Sequence, residues 1–139
     1  MELTRLDEFL NIDDCPITEF SFVSQCKRSL EENGALIIPG FLKKEALGAL
    51  IAEAKTNQVK AFYSSSTHNI YLTPRDESFP DDHIFNHQIV SSKGCITTDQ
   101  IPENSGLKVI YRSMLFKKFL SQIVHEKALF EYEDPFSSI

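Results

Sequence analysis

Leu30-Glu31-Glu32-Asn33-Gly34-Ala35-Leu36-Ile37-Ile38-Pro39-Gly40-Phe41-Leu42 contains the end of one regular element, a short apolar run and the approach to a second. Upstream, Phe22, Val23, Cys26 and Leu30 recur at helical spacing, so Phe20 to Asn33 reads as an amphipathic helix. Asn33-Gly34 ends it, because glycine accepts the left-handed backbone that follows a helix. Ala35 to Ile38 is then an apolar run of strand type, closed by the Pro39-Gly40 turn. Downstream, Ala46, Leu47, Leu50, Ile51 and Ala54 form the stripe of a second helix, Lys43 to Asn57.

The middle of the chain changes character. Val59 to Tyr63 and His68 to Leu72 read as strands, with Ser64-Ser65-Ser66 as a turn or linker between them. Thr73 to Asp82 is a polar loop carrying Pro74, Pro80 and four carboxylates. A strand at His87 to Val90 and a turn at Ser91 to Gly94 follow. Ser105 is placed to cap a helix over Leu107 to Val124, whose apolar face is Leu115, Phe116, Phe119, Leu120 and Ile123. Ala128 to Tyr132 reads as a further strand, turned by Asp134-Pro135. The fold class is therefore α+β. About four short strands are too few to cover these helix faces, so the expected unit, residues 1–139, is a single domain or the N-terminal portion of one.

The composition bounds the function. With 42% apolar and 24% charged residues over 139 positions, the chain has ordinary globular usage. Its net charge of −6 opposes a nucleic-acid partner. The paired lysines Lys43-Lys44 and Lys117-Lys118 read as solvated helix faces. No stretch approaches the roughly 18 apolar residues of a membrane helix, and Met1 to Leu10 has no apolar leader core. Cys15, Cys26 and Cys95 form no C-x-x-C pair and read as free thiols of a reducing, cytoplasmic setting.

A resemblance adds to this reading. The stretch from Leu30 to Leu42 resembles the opening of iron(II)/2-oxoglutarate oxygenases of the phytanoyl-CoA hydroxylase-like group. His68-Asn69-Ile70-Tyr71-Leu72-Thr73-Pro74, Asp99-Gln100-Ile101-Pro102 and Phe130-Glu131-Tyr132-Glu133-Asp134-Pro135 look like a bacterial subgroup that includes amino-acid hydroxylases and halogenases. The resemblance implies a helical support layer and the first strands of a double-stranded β-helix, or jelly roll. It also implies iron(II), 2-oxoglutarate and a small-molecule, amino-acid-like substrate for the full enzyme. The family holds iron with His-X-Asp or His-X-Glu (His-X-Gly or His-X-Ala in halogenases) and a distal His, followed by an Arg for the cosubstrate. His68, His83, His87 and His125 begin no His-X-Asp or His-X-Glu pair, and no His or Arg follows Tyr132. No catalytic residue, metal ligand or bound cofactor is therefore assigned to this chain by itself. A homo-oligomer or a complementing chain is the expected partner.

Five residues are candidates for substrate contact: His68, Asn69, Tyr71, Asp99 and Asp134. His68 either hydrogen-bonds a polar substrate group or fixes the loop beside it. Asn69 and Tyr71, two apart on a strand, share a face. Asp99 lines a pocket or caps a turn, and Asp134 binds a substrate amine or starts the turn before Pro135. His83 and His87 have the i, i+4 spacing of metal ligands but lie beside Pro80 in a polar loop without a third ligand, so they read as loop histidines.

Overall fold

The computed structural model describes residues 2–132, so Asp134 and its turn lie outside the described residues. The elements run α1 (Glu2–Asp7), α2 (Phe20–Asn33), α3 (Lys44–Asn57), β1 (Phe62–His68), β2 (Ile89–Cys95), α4 (Gly106–Arg112) and α5 (Met114–Ile123). Short 3-10 turns precede β1 at Gln58–Lys60 and follow β2 at Thr98–Gln100. The class is α+β, with a single two-stranded antiparallel sheet among the described residues.

The core lies where α2 crosses α5. Val23 and Cys26 of α2 and Phe119 and Ile123 of α5 are buried together, with Phe22, Leu30, Leu115, Phe116 and Leu120 packed around them. Three aromatic rings surround Phe119, at centroid distances of 6.0 Å for Phe22 and 6.4 Å for Phe41 and Phe116. The N-terminal segment completes the core with Leu6, Leu10 and Ile17, each at most 2% exposed. Lys43 anchors this segment from outside, its Nζ lying 2.8 Å from Asp7 Oδ1.

Asn33-Gly34 ends α2 as the sequence implies. Gly34 takes φ 68° and its N–H donates to Leu30 O at 2.8 Å. Ala35 to Ile38 does not become a strand. It has no regular secondary structure, with Leu36 and Ile38 packed on the core and Ile37 84% exposed, and the pairing forms beyond it. Leu42 bridges to Leu10, because Asn11 N–H donates to Phe41 O and Lys43 N–H to Phe9 O. An apolar run needs a backbone partner to be a strand, and the nearest free edge stands beyond Pro39-Gly40.

The strand boundaries also move. The two expected strands around Ser64-Ser65-Ser66 are one strand, β1, running through the serines to His68, while Asn69 to Leu72 leaves the ladder and turns. Ser91 to Gly94, expected as a turn, lies inside β2. The register pairs Phe62 with Cys95 and His68 with Ile89, and it sets Ser66 opposite Ser91 with their hydroxyls 3.2 Å apart. Serine favours turns only weakly, and the cross-strand ladder overrides it. Tyr63 lies over Gly94, where an added Cβ would meet its ring at 2.7 Å.

The expected long C-terminal helix is two helices. Ser113 takes ψ 124°, outside helical values, and its hydroxyl accepts from Phe116 N to begin α5. Ala128 to Tyr132 forms no strand. It lies against α4 and α5 through Lys117–Glu131 at 2.6 Å and a hydrogen bond from Tyr132 N to the Tyr111 hydroxyl.

Ser105 does cap α4, and its role extends further. Its Oγ accepts from Leu107 N at 3.2 Å and donates to Glu53 Oε1 at 2.8 Å, joining α4 to α3. Ser105→Ala removes both bonds from a buried site and is expected to cost about 1–2 kcal/mol. Urea denaturation checks this, and Ser105→Thr should recover most of the loss.

Candidate ligand cavity at the hairpin tip

β1 and β2 are joined by residues 69–88, a connection far longer than a hairpin needs. Two buried asparagines give it a fixed shape. Asn69 is completely buried; its Nδ2 donates to Thr73 Oγ1 at 2.8 Å and Phe85 O at 2.7 Å, and its Oδ1 accepts from Tyr71 N at 3.0 Å and Thr73 N at 2.9 Å. Both donors and both lone pairs of the amide are used. Asn86 braces the loop further along: Oδ1 accepts from Asp76 N, and Nδ2 lies within hydrogen-bond distance of the carbonyls of Asp76, Phe79 and Pro80. Between Tyr71 and Thr73, Leu72 is held at φ 58°, a left-handed conformation that a leucine adopts only under constraint.

This framework arranges an aromatic cluster. Phe85 stands edge-on to both Tyr71 and Phe79, with centroids 5.0 Å apart in each pair, and His83 stacks on Phe79 at 4.3 Å. Tyr71, Phe79 and Phe85, with Thr73, Pro74 and Asp76, line a cavity of about 320 Å3. Asp76 Oδ1 accepts from Ser78 N at 2.9 Å and Ser78 Oγ at 2.6 Å, while Oδ2 has no partner among the described residues. The side-chain and backbone hydrogen bonds of Ser78 hold the Asp76 carboxyl below the usual carboxylate range. Arg75 is turned to Asp81 and, at 3.9 Å, to Glu77.

The sequence candidates separate in space. His68, Asn69 and Tyr71 all lie at this end of the hairpin, but only Tyr71 lines the cavity. His68 Nδ1 donates to Asn69 O at 2.9 Å, and its Nε2 accepts from the Ser91 hydroxyl at 3.2 Å. Asn69 and Tyr71 do not share a strand face, because the chain turns at Asn69 and buries one residue while leaving the other 52% exposed.

Asp99 lies elsewhere, on the wall of a cleft of about 840 Å3 between α4, α5 and the segment 128–132. That cleft contains an ion-pair ladder. Glu103 pairs with Lys108 at 2.6 Å and with Arg112, while Glu131 pairs with Lys117 at 2.6 Å and with Arg112 at 4.0 Å. Hydrogen bonds from Lys108 and then Arg112 keep the Glu103 carboxyl below its ordinary range. Lys108 is only 3% exposed, and this partner offsets the cost of burying its charge.

Asp76, Phe79, Phe85 and Asn86 were not among the sequence candidates. Their signal was Phe79 inside the polar stretch between Pro74 and Pro80, with Phe85 shortly after it, an unusual place for aromatic rings.

Among the described residues, no three His, Cys, Asp or Glu side chains come together as a metal site. Nor is any helix among them long and apolar enough to cross a membrane. No protein-family model, curated protein or solved structure matches the chain.

Proposed function

We propose that this chain is the helical support and first strands of a double-stranded β-helix oxygenase that uses iron(II) and 2-oxoglutarate, and that it forms one wall of the pocket for a small, amino-acid-like substrate. The observation that carries this reading is the uncovered hairpin. No residue of β1 or β2 is buried. Leu47 and Ile51 of α3 are 43% and 46% exposed. A two-stranded ribbon is marginal in water, and a second sheet packed on it would bury both sets of apolar side chains. The helix–Gly34–extended–Pro39-Gly40–helix order supports the same reading.

The residues present do not fit the iron. Both His68 nitrogens are engaged, His83 accepts from Phe85 N at 3.2 Å within the aromatic cluster, and His125 lies 2.6 Å from Glu31. No chemical step is therefore assigned to this chain. Its part is to support the fold and shape the pocket; the metal and cosubstrate would be held by other residues of a longer product or by a complementing chain.

The test is to read the coding sequence beyond the Ile139 codon, weigh the native protein, and assay succinate formation from 2-oxoglutarate with iron(II). The expected result is turnover by a longer product carrying a His-X-Asp, His-X-Glu or His-X-Gly segment, and none by the 139-residue chain alone. Turnover by the chain alone would overturn this division of labour.

The uncovered strand edges favour one other reading, a self-associating module without chemistry. A discrete oligomer of the 139-residue chain with cooperative unfolding would support that reading. Aggregation would support the oxygenase portion.

A further inference from the structure

We propose that the cavity at the hairpin tip binds a small organic ammonium ion between the rings of Tyr71, Phe79 and Phe85 and the carboxylate of Asp76. This assigns a ligand class to the cavity independently of the oxygenase reading, because the test below measures binding and not turnover.

The site is built before any ligand arrives. Asn69 and Asn86 spend their hydrogen bonds on the loop backbone, so the walls are fixed and little ordering entropy remains to be lost on binding. About 320 Å3 lies at the small end of ligand pockets and suits an ammonium group with a few carbons.

The wall chemistry selects for a cation. Aromatic faces carry negative quadrupole density and attract ammonium groups within about 6 Å. Edge-on packing of Phe85 against Tyr71 and Phe79 keeps the three rings from stacking flat on one another. Asp76 adds a full charge, and its Oδ2 has no partner among the described residues. The Thr73 hydroxyl oxygen accepts from Asn69 and keeps a second lone pair that can accept from an ammonium N–H.

The surroundings favour the same sign. Besides His83 and His87, residues 69–88 carry one cationic side chain, Arg75, against Asp76, Glu77, Asp81 and Asp82. Arg75 is committed to Asp81 and Glu77 and does not neutralise Asp76. An anion would be repelled here, and a neutral apolar group would gain nothing from the exposed Asp76 carboxylate.

The experiment is an amide NMR titration of the 139-residue chain with n-butylammonium chloride, using n-butanol and sodium chloride as controls. The expected result is saturable shifts at Thr73, Asp76, Phe79 and Phe85 with the ammonium ion alone, at about millimolar Kd. Asp76→Asn should weaken binding about tenfold, since it removes the charge but keeps an oxygen for Ser78 N. Phe79→Leu should weaken it about threefold by removing one ring. Unchanged shifts elsewhere in each variant report an intact fold. Equal binding of n-butanol, shifts that stay linear in concentration, or an unchanged Kd in Asp76→Asn would each overturn the proposal.

Discussion

Replacing Asn69 by alanine is expected to melt the loop between β1 and β2 while leaving the helical core folded. The amide serves Thr73 Oγ1 and Phe85 O as donor and Tyr71 N and Thr73 N as acceptor, all at 2.7–3.0 Å in a fully buried position. Alanine fills less volume and leaves these groups without partners, a loss of about 2–4 kcal/mol. The left-handed Leu72 is enclosed by the same bonds and would relax when they go. Hydrogen exchange should show protection at Thr73 and its neighbours falling about a hundredfold, with α2 and α5 unchanged. Asn69→Asp tests the two halves of the amide separately. It keeps acceptors for Tyr71 N and Thr73 N but sets an oxygen against the Phe85 carbonyl, so it should also fail. If Asn69→Asp behaved as the parent protein, the donor half would carry no weight. The same loss should abolish ammonium binding, since the cavity walls depend on this framework.

Phe119→Ala should have the opposite distribution, destabilising the whole molecule. Phe119 is 1% exposed at the centre of the α2–α5 contact, ringed by Phe22, Phe41 and Phe116. Truncating a buried phenylalanine costs about 3–5 kcal/mol, the lost transfer energy plus the cavity left behind. A domain of this size has about 5–15 kcal/mol in total, so the variant would lose a large share of its stability. Urea denaturation should show a lower midpoint at an unchanged slope. Phe119→Leu, which keeps much of the volume, should lose about 1–2 kcal/mol. A loss below about 1 kcal/mol for Phe119→Ala would mean that this residue is not at the centre of the core. Together the two variants ask whether hairpin tip and core are separate cooperative units, as the bare strands between them suggest.

The reading of the cavity changes what His68 and Asn69 mean. Placed at the end of β1, His68 spends its nitrogens on Asn69 O and Ser91 Oγ, and Asn69 spends its amide on the loop. Their hydrogen bonds shape the region that Tyr71, Asp76, Phe79 and Phe85 line. Asp99 belongs to a different cleft, whose charges are largely paired with one another across the Glu103–Arg112–Glu131 ladder.

What was legible in the sequence was local. α2 spans Phe20–Asn33 in the structure as in the sequence reading, Gly34 takes the left-handed conformation its position implied, and α3 begins one residue from where its pattern placed it. Helices are written in the chain because each backbone bond reaches only four residues and each apolar stripe repeats every three to four. The face of α5 was readable for the same reason, as was the cap at Ser105. The strands were legible only in part, at Phe62-Tyr63 and Ile89-Val90, because a strand is defined by a partner the local sequence does not contain. Leu36 to Ile38 has strand-like composition and no ladder, whereas Ser64 to Ser66 has turn-like composition and lies inside one, opposite Lys93 to Ser91. Only the tertiary structure decided that Leu42 pairs with Leu10, that Ser113 divides the last helix, and that Asn69 and Asn86 draw Tyr71, Phe79 and Phe85 around one cavity. The Leu10–Leu42 pairing and the gathering of the rings are contacts between residues distant along the chain, which no local pattern records.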